Sequence, residues 1–386
     1  MQRLFLPVGQ GAFYCEKFAE KDFCGKVNVV YDCGSMSGLS LLKTVIESTF
    51  DYRETIDALF LSHLHADHIN GLPFLMKRCQ VKRVYLPMMD TTDLALMRLA
   101  YIIRRHQKPL PYEEEDAYPL SERFVLNILQ NPIEAIRQYA DADVVAVPFG
   151  RNDGMLRDLH GVENEIFGDR IVNGASQRWI YIPFNVRNDE ESHEVRRRLT
   201  RLLGEDPSPQ NVAKLIADIE SNRVEDDALS KIRDIYKGIR DGLNANSMTL
   251  YSGSDNPDLT QSIDLSVCEF SCHKHGVSHS TAAGCLYTGD YIASDERCYW
   301  KQLKIAYGRL WGNIGCVQIP HHGSNGNFND EFLTMSAYNV ISAGFGNVYR
   351  HPSNAVLAKY RARHKFPFVV TQSQASGFGT VITTWQ

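Results

Sequence analysis

This 386-residue sequence predicts an α/β fold carrying a mostly helical insertion. From Met1 to about Pro87, short apolar runs alternate with a helical pattern. From Met88 to Gly242 the texture becomes charged and helix-like, and from residue 243 it returns to short apolar runs bounded by turn residues. Several of these runs end in aspartate or histidine, at the carboxyl end of a strand, where α/β sheets gather their chemistry. Residues 1–87 and 243–386 are therefore read as one domain and 88–242 as its insertion.

The elements follow in order. Val27-Asn28-Val29-Val30-Tyr31-Asp32 reads as a strand ending in Asp32-Cys33-Gly34-Ser35. Ser40 to Ser48 reads as a helix, with Leu41, Leu42, Val45 and Ile46 at helical spacing. Ala58-Leu59-Phe60-Leu61 is a short buried strand, Ile69 to Arg78 a helix and Val84-Tyr85-Leu86-Pro87 a further strand. The insertion offers helices over 92–105, 121–140, 192–203, 211–221 and 226–241. They are separated by breakers such as Lys108-Pro109-Leu110-Pro111 and Asp206-Pro207-Ser208-Pro209. One strand-like island, Arg178 to Phe184, interrupts them. The last part predicts strands over 247–251, 263–270, 285–288, 316–319, 340–342 and 368–370.

Composition narrows the class. The net charge of -5 does not advertise a general polyanion binder. Three basic clusters stand out locally: Arg104-Arg105-His106-Gln107-Lys108, Arg196-Arg197-Arg198 with Arg201, and Lys359-Tyr360-Arg361-Ala362-Arg363-His364-Lys365. Each could track a phosphate backbone, although a solvated helix face is the commoner use of such a run. The 9 cysteines are odd in number and scattered, which reads as free thiols in a reducing cytoplasm. The start, Met1 to Pro7, lacks the apolar stretch of a signal peptide. No apolar run approaches the length that spans a bilayer.

The chemistry begins at His63-Leu64-His65-Ala66-Asp67-His68, directly after the strand ending at Leu61. His63 and His65 alternate at a strand end and so face one side. Asp67 and His68 open the next helix, where its dipole favours a carboxylate. Imidazole nitrogen with carboxylate oxygen suits zinc or a similar divalent ion. Further candidates end later strands: Asp290 after Cys285-Leu286-Tyr287-Thr288-Gly289, and His321 and His322 after Cys316-Val317-Gln318-Ile319-Pro320. His351 follows a Gly-rich turn. A second group, Cys268, Cys272, His273, His275 and His279, lacks a C-x-x-C pair, and its Lys274–Ser280 stretch reads better as the solvated tip of a hairpin than as a zinc site.

Taken in order, Val8-Gly9-Gln10-Gly11, Tyr31-Asp32-Cys33-Gly34-Ser35, His63–His68, Thr288-Gly289-Asp290, Pro320-His321-His322-Gly323-Ser324 and His351-Pro352-Ser353 resemble the motifs of metallo-β-lactamase-fold hydrolases. Within that superfamily the chain most resembles the hydrolase domain of ComEC-type competence proteins. The resemblance covers the chain outside the insertion. It implies an αββα metallo-β-lactamase sandwich with metals in a cleft at one edge. It also implies a ligand set. His63 and His65 would hold one ion, Asp67 and His68 the second. Asp290 would bridge them, and His322, or less readily His321, would complete the second site. Asp32 would orient a ligand histidine rather than bind metal.

One family feature is absent. Most members carry a further histidine before the strand leading to the bridging aspartate, where this chain reads Gly242-Leu243-Asn244-Ala245-Asn246-Ser247. Asn244 or Asn246 would approach the first ion weakly, or water would fill the gap. Two Zn2+ ions are the expected cofactors, with Mn2+ the alternative because amide and water ligands suit harder ions. Two such ions share a bridging hydroxide of near-neutral pKa. Asp67 is a candidate to orient it. His351, His321 or Ser324 are candidates to touch a phosphate oxygen or protonate the leaving group, His351 being equally readable as a residue that packs a turn.

The expected function is hydrolysis of phosphodiester bonds, with a nucleic acid, DNA first, as substrate. Acting as the effector of a bacterial defence system would suit a relative of an uptake protein without membrane helices. The alternatives are a small-molecule phosphodiesterase or other phosphoester hydrolase with the insertion as its lid, and a non-catalytic scaffold whose 88–242 insertion binds a protein partner.

Overall fold

The computed structural model describes residues 1–19, 26–107, 118–150, 165–172, 175–186, 190–237, 247–255, 261–266, 275–280, 282–294, 299–336 and 338–384. Among these residues two large sheets face each other. The first runs, in spatial order, through His275–Ser280, Gln261–Ser266, Phe378–Thr384, Gln2–Phe5, Gly11–Phe18, Val27–Ser35, Ala58–Phe60, Arg83–Pro87 and Asp143–Val147. The second runs through Phe368–Val370, Tyr338–Ser342, Ile314–Gln318, Gly284–Tyr287, Thr249–Ser254, Ala175–Phe184 and Glu165–Val172.

Strand alternation builds the layers. Val29, Tyr31, Ala58, Phe60 and Tyr85 point into the space between the sheets. Their neighbours Val30, Cys33, Leu59, Leu61, Val84 and Leu86 point outward, against Leu42 and Ile46 of the helix Leu39–Thr49 and Leu75 of the helix Leu72–Arg78. Both faces are covered, so these strands read as nearly continuous apolar runs. The second sheet contributes Tyr181, Leu250, Cys285, Tyr287, Cys316 and Val340 to the same inner layer. Its outer face buries Trp300, Leu303 and Tyr307 of the helix Tyr299–Tyr307 and Val356 and Tyr360 of the helix Asn354–Ala362. The result is an α/β sandwich of the metallo-β-lactamase kind, helices outside and two sheets inside, with a helical insertion.

Charge is buried in the middle of this sandwich, and it is compensated. The Arg3 Nε donates to Glu16 Oε1 at 2.6 Å, and Tyr181 and Tyr287 donate to the same carboxylate at 2.6 and 3.0 Å. Burial pushes the Glu16 carboxyl up, but Arg3 and the hydroxyl donors outweigh it, and the net direction is down. Glu16→Ala would leave the Arg3 guanidinium buried without its counter-ion. A destabilisation of about 3–5 kcal/mol is expected, read as a lower midpoint in urea unfolding.

Residues 88–242 divide between two uses. The helices Thr91–Gln107, Glu190–Leu203, Pro209–Glu220 and Asp226–Lys237 share a separate core of Leu96, Leu99, Val195, Leu199, Ile216 and Ile232. The same stretch supplies Asp143–Val147 to the edge of the first sheet, and Glu165–Val172 and Ala175–Phe184 to the edge of the second. At the opposite edge of the first sheet, His275–Ser280 pairs antiparallel with Gln261–Ser266. The stretch expected to be a hairpin tip is thus a strand for most of its length. Cys268, Cys272 and His273 lie outside the described residues. Among the described residues no helix is long and apolar enough to cross a membrane.

Val27–Ser35, Ala58–Phe60 and Arg83–Pro87 are parallel. So are Gly284–Tyr287, Ile314–Gln318, Tyr338–Ser342 and Phe368–Val370 in the second sheet. Their carboxyl ends bring Asp32, His63, Asp290, His321 and His322 to one edge of the sandwich.

Candidate metal centre

The first sheet prepares its half of the site with a bulge. Along Gly11–Phe18, Phe13 pairs with Cys33 and Tyr14 with Tyr31, which leaves Asp32 as an extra residue at φ 55°. Its carboxylate is fully buried. Oδ1 accepts from the Ser62 amide at 2.7 Å, and Oδ2 accepts from the Ser62 hydroxyl at 2.6 Å and from His68 Nδ1 at 2.8 Å. Gly34 then lets the helix Ala66–Ile69 close onto the strand, because a Cβ there would lie 2.5 Å from the Asp67 carbonyl. Gly289 plays the matching part in the second sheet. It sits at φ 53°, and a Cβ would lie 2.5 Å from the Ser62 Cβ.

The hydrogen bonds fix which nitrogen each imidazole presents. The single proton of the Ser62 hydroxyl goes to Asp32, so Ser62 Oγ accepts from His63 Nδ1 at 2.9 Å. His68 Nδ1 donates to Asp32, and His322 Nδ1 donates to the Ser342 carbonyl at 2.8 Å. His321 Nδ1 donates to Asn327 Oδ1 at 2.9 Å, the Asn327 amide being oriented by its donation to the Asp290 carbonyl. Each ring is therefore held through its Nδ1 proton, which leaves Nε2 to carry the lone pair whenever the ring is neutral, the arrangement in which a metal-ligating histidine is held.

Those Nε2 atoms converge on two carboxylates. Asp290 Oδ2 lies 3.5 Å from His63 Nε2 and 3.7 Å from His321 Nε2, while Oδ1 lies 3.4 Å from His68 Nε2. Asp67 Oδ2 lies 3.1 Å from His322 Nε2 and 3.9 Å from His68 Nε2. Two ligand groups result, His63 with His68 and Asp290, and Asp67 with His68 and His322, each with its ligand atoms within 4.8 Å of one another. His68 is common to both. His65 belongs to neither group, although its ring stands 5.0 Å from that of His63.

Three atoms of this cluster are orphans: His63 Nε2, His68 Nε2 and Asp290 Oδ1 are buried and have no hydrogen-bond partner. A buried polar atom left unsatisfied costs about 1–3 kcal/mol. Three of them aimed at one space are the expected signature of a cation site. The electrostatics agree. Burial, and after it His68, hold His63 well below the ordinary imidazole value, and burial takes His65 down to about 3, so both rings are neutral at pH 7. Burial works against protonation of His68 as well, but Asp290, Asp32 and Asp67 override it and push its pKa well up. Carboxylates thus dominate the field at the centre, and a divalent ion is the charge that satisfies it.

Asp32 acts one step back. Asp32→Asn retains the shape but loses the charge that holds His68 in its tautomer. Metal affinity is expected to fall about 10–100-fold with little change in fold, as a metal titration followed by competing chelator would show.

The other expected residues fall nearby. The His351 ring centroid lies 5.6 Å from that of His321 and 6.5 Å from that of His322, and burial lowers its pKa to about 4. Ser324 closes the turn by donating its amide to the His321 carbonyl at 2.9 Å. Asn244 and Asn246 lie outside the described residues. Sequence reasoning missed Ser62, Ser247, Gln318 and Asn327. Ser247 Oγ lies 3.2 Å from His63 Nδ1 and accepts from the Asp290 amide at 2.9 Å. The Gln318 side chain accepts from the amides of Thr288 and Gly289, each at 2.7 Å, and so shapes the loop that carries Asp290. Only Ser62, adjacent to the cluster, had a positional signal.

Two comparisons with known proteins bear on part of the chain. Ribonuclease J of Mycoplasma genitalium is 29% identical over 65 residues, covering 15% of this chain and 11% of that protein. The chain therefore matches only a small part of that relative's length. Residues 25–118, which include Asp32 and every residue of the His63–His68 cluster, match the family model of the metallo-beta-lactamase superfamily.

Proposed function

We propose that this chain is a metal-dependent phosphodiesterase that cleaves nucleic acid, with DNA as the first substrate to test. The observation that carries the reading is the set of buried, partnerless ligand atoms His63 Nε2, His68 Nε2 and Asp290 Oδ1. A scaffold without chemistry has no use for that cost. His63, His68, Asp290, Asp67 and His322 would hold two divalent ions, zinc or manganese, with His65 and His321 at the margin of the first. When bound, such ions supply a hydroxide at neutral pH and neutralise charge on phosphoryl oxygens. The chain's own groups do the rest. Asp67, one-fifth exposed, would orient the attacking water. His351, whose ring lies 5.6 Å from that of His321, would contact a phosphate oxygen. Ser324 is a second candidate for that contact.

The choice of nucleic acid rests on the resemblance to the ComEC-type hydrolase domain and on the stretch shared with a ribonuclease. The basic clusters support it less. Arg105 is paired with Glu122, Arg196 with Asp90 and Asp93, Arg197 and Arg198 with Glu194, and Lys359 with Asp330. Much of that charge is spent within the fold. A role as the effector of a bacterial defence system belongs to the same proposal, and loss of phage resistance in cells carrying Asp290→Ala would test it.

The biochemical test uses the full chain with Zn2+ or Mn2+ and, in parallel, single-stranded DNA, duplex DNA, RNA and a small phosphodiester. Polynucleotide cleavage that chelator and Asp290→Ala both abolish supports the reading. Turnover of the small diester alone would replace it with a small-molecule phosphodiesterase. No turnover of any of them would leave the 88–242 region as a partner-binding scaffold.

A further inference from the structure

Beside the metal centre, the turn after the strand Tyr338–Ser342 exposes three apolar side chains in five residues. Phe345 is 69% exposed, Val348 74% and Tyr349 60%. Exposed apolar side chains massed in one place mark a binding surface more often than chance. This turn is also held rigidly. Asn347 Nδ2 donates to the carbonyls of Gly344 and His351 at 2.7 and 2.6 Å, and Asn347 Oδ1 accepts from the His351 amide at 2.9 Å. Gln372 accepts from the Phe345 amide at 2.8 Å. The aromatic rings are therefore presented by a fixed backbone rather than by a loose tip.

Three further facts define the ligand. Phe345, Gly346 and Asn347 of the turn line a cleft of about 320 Å3 together with Arg350, His351, Val369 and Thr371. His351, which lines the cleft, stands beside the candidate metal centre: its ring lies 5.6 Å from that of His321, and 6.0 Å from that of Tyr349 with the planes 12° apart. Arg350 is exposed and has no acidic partner among the described residues. It is held at φ 58°, a conformation that costs a non-glycine residue energy and persists where the surroundings impose it. Exposed aromatic faces at Phe345 and Tyr349, a guanidinium at Arg350 and the candidate metal centre beside His351 lie close together along the chain and the cleft, an arrangement that matches a single-stranded polynucleotide. Bases stack on aromatic side chains irrespective of sequence, and arginine takes the adjoining phosphate.

We infer that Phe345 and Tyr349 form a stacking platform for an unpaired base next to the scissile phosphate, with Arg350 holding the neighbouring phosphate. The inference rests on the nuclease reading and deepens it: the substrate is single-stranded, or frayed, at the point of cleavage. A base locked in a duplex cannot reach the platform.

The test compares a fluorescent single-stranded oligodeoxynucleotide with an abasic strand of the same length. Binding to the full chain is followed by anisotropy, with chelator present to stop cleavage. The wild type should bind the base-bearing strand about ten- to a hundredfold more tightly than the abasic one. Phe345→Ala with Tyr349→Ala should erase that preference, and Phe345→Trp with Tyr349→Phe should keep it. Arg350→Gln should weaken both strands alike, as the loss of a phosphate contact does. Equal wild-type affinity for the two strands, or a preference that survives the double alanine variant, would overturn the inference. So would tighter binding of intact duplex than of single strand. Failure of the nuclease reading shows separately, as a metal-loaded wild type that cleaves no polynucleotide.

Discussion

Alanine at His68 is expected to abolish hydrolysis, lowering turnover by about a thousandfold or more, because it removes the imidazole whose Nε2 lies within reach of both Asp290 and Asp67. The effect should exceed that of His65→Ala, since His65 belongs to neither group. His68→Ala also strands Asp32 as a fully buried carboxylate that keeps only its Ser62 donors. Some loss of stability should accompany the loss of activity. Asp32→Asn in the same background should restore part of that stability and none of the activity. Turnover under saturating metal, paired with urea midpoints for the single and double variants, separates the two effects.

Asp290→Asn is the second large expectation. Asp290 faces His63 and His321 through Oδ2 and His68 through Oδ1, so one carboxylate addresses both halves of the cluster. Burial opposes its ionisation, yet the imidazoles His321, His68 and His63 hold its pKa well below the ordinary carboxylate value. An amide in its place keeps the shape and removes the negative charge that would hold a cation against His63 and His68. Turnover should fall by a factor comparable to that of His68→Ala. Its thermal signature differs from that of a general fold defect. An ion present at about a thousand times its Kd stabilises a folded chain by about 4 kcal/mol. The wild type should therefore show a clear rise in Tm on adding Zn2+ or Mn2+, and Asp290→Asn should lose most of that rise while its Tm in chelator stays near that of the wild type.

What the sequence made legible follows the strength of local signals. The run Ala58–Leu61 could only be a buried strand, and the ligand types packed after it point to a metal whatever the fold. Asp290 and His322 were candidates for the same reason, each placed two to four residues past an apolar strand. The pairing inside the centre was not. Which nitrogen faces which oxygen depends on Ser62, Ser247, Gln318 and Asn327, polar residues of ordinary type whose roles arise from contacts made across 29 to 184 positions of the chain. The helix expected over 69–78 begins at Leu72, and a four-residue helix, Ala66–Ile69, precedes it. Gly71 separates them at a point where a side chain would strike Leu42 and Cys33, a packing constraint invisible to periodicity. The strand His275–Ser280 escaped because its neighbour specifies it through backbone pairing, and its histidines and serines carry little strand propensity. Asp143–Val147 and Glu165–Val172 were hidden by the helices around them, since membership of a sheet is decided by the partner strand.

The central claim is that this edge of the sandwich is a dinuclear metal centre, and metal content measures it most directly. The full-length chain, purified without chelator and reconstituted with Zn2+ or Mn2+, should retain about two ions per chain by elemental analysis. His68→Ala should retain fewer ions than the wild type, and Lys231→Ala, an exposed position in the helix Asp226–Lys237, should retain the wild-type number. A folded wild-type chain that retains no divalent metal under these conditions would contradict the account.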